Sequence, residues 1–158
     1  VAQGTFYYHF SSKLSVLEAI VERELEELED DLQGIVSSPE TGPADQLRAL
    51  LTAVFRLMDE HDELIVEVHN ESNVALHHKL MSSTGAVILP RLTRVIARGT
   101  DRGDFHVDAP AETADMIVGM MMVLVEDPDL RANPPQHMRR REAFRSAVRG
   151  VLRLPDPT

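Results

Sequence analysis

The sequence predicts an all-helical protein, and two observations carry that reading. Apolar residues recur at three- and four-residue steps over most of the chain, the spacing that lays one stripe along a helix. Aromatic residues are few, five Phe and two Tyr with no Trp, so the core must rest on Leu, Val, Ile, Met and Ala. Strands, by contrast, are enriched in aromatic and β-branched residues. No strand-like alternation, internal repeat or low-complexity tract competes with the helical pattern.

The first long element follows Ser11 and Ser12, either of which can cap it. Leu14, Leu17, Val21, Leu25, Leu28, Leu32 and Ile35 form its stripe, so the spacing predicts a helix from Ser12 to about Val36. Glu18, Glu22, Glu26 and Asp30 fall on its outward face. Ser37 to Pro39 and the Gly42-Pro43 pair make a loop. A second helix is expected from Ala44 to Glu60, through Leu47, Leu50, Leu51, Val54, Phe55 and Met58. Asp62 would cap a third, with Leu64, Ile65, Val68 and Leu76 as its apolar positions. A fourth is expected from His78 to Arg102, kinked at Pro90, which lacks a backbone donor and crowds the preceding turn. Gly99, Gly103 and the Asp101–Asp104 stretch form a turn. From Asp108 or Pro110 a fifth helix opens, and Met116 to Val125 is apolar all round, so it must be buried on several sides or paired with another subunit. Asp127-Pro128 and Pro134-Pro135 break the chain before a last helix, about Gln136 to Leu154, with Met138, Phe144, Val148, Val151 and Leu152 on one side.

Composition narrows the functional classes. The absence of Cys excludes disulfides, thiolate metal sites and cysteine nucleophiles. No run approaches about 20 consecutive apolar residues, so no membrane span is expected. A basic stretch leading into an apolar one is missing too, which makes the cytoplasm the expected compartment. The net charge of −10 argues against a surface that grips nucleic acid all over, but not against a module that reads DNA at one end. Residues 18–31 hold eight carboxylates and one Arg, and residues 131–153 hold seven Arg and one Glu; both runs read most simply as solvated helix faces. No Ser-His-Asp order, phosphate loop or paired-metal signature is present. Neither a catalytic residue, a metal nor a cofactor is therefore expected.

The opening run carries the most specific signal. Val1-Ala-Gln-Gly-Thr-Phe-Tyr-Tyr-His-Phe10 is followed by Ser11-Ser12-Lys13 and the spaced Leu14, Leu17 and Ile20. Gly4, Thr5, Tyr7, His9, Phe10 and Lys13, in register before a long helix, resemble the recognition-helix signature of the tetracycline-repressor (TetR) family of transcriptional regulators. Arg98-Gly99, Arg102-Gly103-Asp104 and Phe105 resemble the turn between the seventh and eighth helices of that family. The resemblance implies a TetR-like all-α chain. Residues 1–13 would end a helix-turn-helix DNA-binding domain, 14–36 would connect, and 37–158 would bind ligand and dimerise. It also implies two further DNA-binding helices ahead of Val1. By the same resemblance Gln3, Thr5, Tyr7 and Tyr8 read bases or backbone, while His9 and Lys13 contact phosphates. The chemistry agrees, since an amide, a hydroxyl and phenols reach base edges in the major groove, and a helix N-terminus favours anions. Phe6 and Phe10 would face inward.

The resemblance further implies an inducer site and a two-fold interface made by the last two helices, so operator DNA, a largely apolar small-molecule inducer and a second copy of the chain are the expected partners. Phe55, Met58, Ile65, Val68, His69, Met81, Ile88, Met116 and Met120 are the expected pocket residues, with the methionines suited to irregular ligands. Gly119, Met122, Val123, Phe144, Val148 and Val151 are the expected dimer face, with Gly119 permitting close helix approach. Glu67, His69, Asn70, Glu71, His77 and His78 form a polar cluster able to serve as surface or supporting hydrogen bonds, as ligand contacts or, least, as a metal site. The expected mechanism is a repressor dimer with two recognition helices about one DNA turn apart, released from a palindromic operator when ligand shifts the Ser12–Val36 helix. A helical binding or interaction module without DNA binding is the alternative, and an enzyme using the His/Glu cluster a more distant one.

Overall fold

A computed structural model describes residues 12–125 and 133–154, apart from the side chains of Asp62 and Val125. Within them lie six helices and no strand: α1 (Lys13–Ser37), α2 (Pro43–Glu60), α3 (Asp62–Val68), α4 (Val74–Arg102), α5 (Pro110–Val125) and α6 (Pro134–Leu152), with a 3-10 turn at Glu71–Asn73 before α4. The protein is all-helical, as its periodicity requires. Gln3, Gly4, Thr5, Tyr7, Tyr8 and His9, expected to read DNA, lie outside the described residues, as does the Asp127-Pro128 break.

Local chemistry sets the boundaries. Ser12, rather than Ser11, caps α1: its hydroxyl accepts from the Ser15 amide, and the Ser15 hydroxyl is bonded in return by the Ser12 amide, both at 3.1 Å. At the other end Gln46, fully buried on α2, donates through Nε2 to the carbonyls of Ile35, Val36 and Ser38. Arg98 of α4 adds a bond to the Val36 carbonyl at 3.3 Å. The last turn of α1 is thus held by two neighbouring helices, which satisfies carbonyls that a helix end leaves without partners.

The third helix is shorter than its apolar pattern predicts. Asn73 Nδ2 takes the Glu67 carbonyl at 2.8 Å, and the Asn70 side chain accepts from the Ser72 amide at 3.0 Å. Such side-chain bonds compete with the helical ladder, so α3 stops at Val68 and Leu76 passes to α4. Helix α4 begins four residues before the expected His78 and runs unbroken through Pro90. One turn along, Arg91 Nη1 bonds the Val87 carbonyl at 2.7 Å. At its C-terminus Gly103 takes the left-handed conformation (φ 78°), and the amides of Asp104 and Phe105 both return to the Gly99 carbonyl. Phe105 then folds over Gly99 and is 1% exposed.

Helix α4 is central, packing against α1, α2 and α5, while α6 covers α5. Two apolar clusters result. The larger joins Leu28, Leu32 and Val36 of α1 to α2, α4, α5 and α6. The smaller joins Leu17, Val21 and Leu25 of α1 to Val68 and Leu76. Leu14, assigned to the same stripe, is exposed. Much of the acidic run on α1 is engaged across helices: Glu22 with Lys79, Glu29 with Arg91 and Asp31 with Arg56, at 2.6–2.7 Å. The Glu22 carboxylate, through its hydrogen bond and then its charge, holds the Lys79 ammonium above the ordinary lysine value. Among the described residues no helix is long and apolar enough to cross a membrane.

Candidate functional site

Between the two apolar clusters the helices leave a small cleft of about 50 Å³, part of it open to solvent. Val21, Glu24 and Leu25 of α1 form one wall, Val54, Leu57 and Met58 of α2 another, and Leu64, Ile65, Leu80, Met81 and Thr84 of α3 and α4 the rest. His61 stands at the junction of α2 and α3, where it ends one helix and precedes the next. The lining is almost wholly aliphatic or thioether. Its polar side chains are Glu24, His61 and Thr84.

Glu24 is the unusual member. Its side chain is only 8% exposed, though carboxylates are rarely buried without partners. Two partners account for it. His61 Nε2 lies 3.0 Å from one carboxylate oxygen, and Arg23 Nη2 donates to the other at 2.6 Å. The hydrogen bond that Arg23 donates to Glu24, followed by the charges of Glu24 and Glu27, raises the Arg23 guanidinium above its already high value. Beside this pair a second, more polar recess is edged by Glu27, Asp31, Arg56 and Glu60.

Of the pocket residues expected from sequence, Met58, Ile65 and Met81 line the cleft. The others go elsewhere. Phe55 meets Phe144 edge-on at 5.5 Å, under the Arg141 guanidinium, inside the larger core. Ile88 is buried in that core and Met120 packs against it, whereas Val68 belongs to the smaller cluster. Met116 points outward at 61% exposure. His69 does not reach the cleft lining: Nδ1 is bonded to the Ile65 carbonyl at 2.7 Å, and its ring lies 4.4 Å from that of His77.

The rest of the polar cluster also divides. Glu67 pairs with Lys13 at 2.6 Å, which places that expected phosphate contact on an intramolecular carboxylate, and Asn70 caps the 3-10 turn. Glu71 and His78 are exposed. No group of three His, Asp or Glu side chains is arranged for a metal among the described residues.

The expected dimer face separates into two sets. Phe144 and Val148 turn inward, at 5% and 2% exposure, because α6 uses that side to close the core over Phe55. Gly119, Val123 and Val151 are exposed and Met122 is half-buried. On α5, Met116, Gly119, Met120 and Val123 fall at three- and four-residue steps, an apolar stripe opposite the buried Ala114, Ile117, Met121 and Leu124.

Sequence reasoning missed Glu24 and His61, and for Glu24 the signal was present. It stands three residues after Val21 and four before Leu28, on the buried stripe and off the face of Glu22 and Glu26.

The cleft is built largely from the segment between Leu57 and Thr84 together with α1. Residues 57–133 match the tetracyclin repressor-like C-terminal domain. This match supports membership of the TetR family. The matched segment takes in the end of α2, all of α3, α4 and α5, and thus six of the cleft's lining positions beyond Leu57 and Met58. TetR-like C-terminal domains are regulatory and not catalytic, and in the family they serve ligand binding and dimerisation. The chain matches no curated protein.

Proposed function

We propose that this protein is a ligand-responsive, DNA-binding transcriptional regulator of the TetR family, acting in the cytoplasm as a homodimeric repressor that a small, largely apolar inducer releases from a palindromic operator. One observation supports it above the rest: the apolar cleft has α1 as a wall, and α1 continues directly from the segment 1–13 that resembles a recognition helix. A ligand in the cleft touches Val21, Glu24 and Leu25 and so bears on the helix that begins at Lys13, next in the chain to the segment carrying Gln3, Thr5, Tyr7, Tyr8 and His9. The coupling needs a ligand that favours the spacing unable to span two half-sites. For the dimer, Met116, Gly119 and Val123 of α5 and Val151 of α6 supply exposed, mostly apolar positions.

A mobility-shift titration of the complete regulator against the DNA flanking its own gene tests this reading. A discrete complex that dissolves when a cleft-binding compound is added is the expected result. Ligand binding with no DNA complex at any protein concentration would instead leave a helical binding module.

A further inference from the structure

An aliphatic cleft that only had to admit an apolar molecule would have no use for a carboxylate in its wall, because burying one is costly unless it is compensated. Glu24 nevertheless sits there, on the apolar stripe of α1, 8% exposed. It is not a structural ion pair of the buried kind. Its cationic partner Arg23 is 65% exposed on the adjacent position of the same helix and so ties α1 to nothing else. Its other partner, His61, is 31% exposed at the α2–α3 junction. The carboxylates of Glu27, Asp31 and Glu60 edge the neighbouring recess; with Glu24 they make four acids against two arginines, Arg23 and Arg56, which leaves that end of the cleft net negative. No Lys or Arg lines the cleft itself.

We infer that the cleft takes an amphipathic organic cation: an apolar body held by Val21, Leu25, Val54, Met58, Ile65 and Met81, and one ammonium-type group paired with Glu24. This rests on the ligand-responsive reading above and specifies its ligand. The cation would approach the carboxylate from the cleft side and compete with His61 for the oxygen that His61 Nε2 now faces at 3.0 Å. His61 stands where α2 gives way to α3, so loss of that contact removes one tie between the junction and α1. Recognition and the conformational response would then share one atom, Glu24 Oε2.

Three compounds of one shape test the assignment by calorimetric titration into the full chain: phenylbutylamine, phenylbutanol and phenylbutyrate, which carry a positive, a neutral and a negative head on the same body. The amine is expected to bind roughly ten- to a hundredfold more tightly than the alcohol, the worth of one charge-assisted hydrogen bond in a partly desolvated site. Glu24→Gln, which keeps shape and removes the charge, should bring the amine down toward the alcohol's affinity and weaken the alcohol far less than the amine. Met81→Trp, which fills the cleft, should weaken both. A far-ultraviolet spectrum and melting curve of each variant establish that it is folded. Equal binding of amine and alcohol, tighter binding of phenylbutyrate, or indifference of the amine to Glu24→Gln would overturn the cation assignment while keeping the cleft as a ligand site. Failure of all three to bind at millimolar concentration would overturn the ligand site and the inducer reading with it.

Discussion

A β-carbon built on Gly99 would lie 2.2 Å from Cδ2 of Phe105, closer than any real contact, so the ring occupies the space that every other residue would need. The same Gly99 carbonyl accepts the amides of Asp104 and Phe105, which fixes the ring's approach. Gly99→Ala is therefore expected to cost about 1–3 kcal/mol by overpacking. In a Phe105→Ala background, itself costly by roughly 3–5 kcal/mol, the same change should cost little. Urea unfolding of the four proteins reads that coupling, and simple additivity would contradict the steric account. Gln46 is the polar counterpart: Gln46→Leu leaves three carbonyls at the end of α1 without their donor and should lower stability by about 1–3 kcal/mol. The first of these residues was marked in the sequence by its turn motif. The second was not, because a lone Gln in an amphipathic helix looks like a surface residue until the helix end it serves is placed beside it.

Helix periodicity was legible almost to the residue for α1, α2, α5 and α6, because long amphipathic stripes are bounded by Ser, Gly and Pro. It failed at α3, where two Asn side chains cap the backbone in place of the ladder that the apolar pattern suggested. A stripe also cannot say what covers it. Phe144 and Met116 are both apolar positions on apolar helices, yet one closes the subunit's own core and the other faces outward. The two roles separate experimentally. Phe144→Ala removes the edge-on contact with Phe55 and is expected to cost about 3–5 kcal/mol in a chemical melt. Val123→Glu, at an exposed position, should leave the helical spectrum unchanged and convert the dimer to monomer in sedimentation velocity. A Val123→Glu protein that still sediments as a dimer would move the interface off α5.

For the molecule as a whole, the informative feature is that the cleft opens where two apolar clusters meet, so its occupant becomes part of both. A compound present at about a hundred times its Kd adds about 2.7 kcal/mol to the folded state, which for a chain of this length raises the melting temperature by roughly 5–10 °C. Scanning fluorimetry with the phenylbutyl series would show that rise, and an unchanged melting temperature at saturation would mean the ligand binds the unfolded chain as well. Sequence supplied three cleft residues, Met58, Ile65 and Met81, from their type and place on amphipathic helices. The remainder depended on which helix faces which, and that is fixed by long-range packing that no local pattern records.

The grip of Gln46 and Arg98 on the last turn of α1 also sets a mechanical ratio. In a pivot of α1 about the end anchored near Ser37, displacement grows in proportion to distance from the anchor. Glu24 lies about 20 Å from that end and Ser12 about 37 Å, at about 1.5 Å per residue. A shift of about 1 Å imposed beside the cleft therefore becomes about 2 Å where the helix meets the first eleven residues, and the gain is set by nothing but where along the rod the carboxylate was placed.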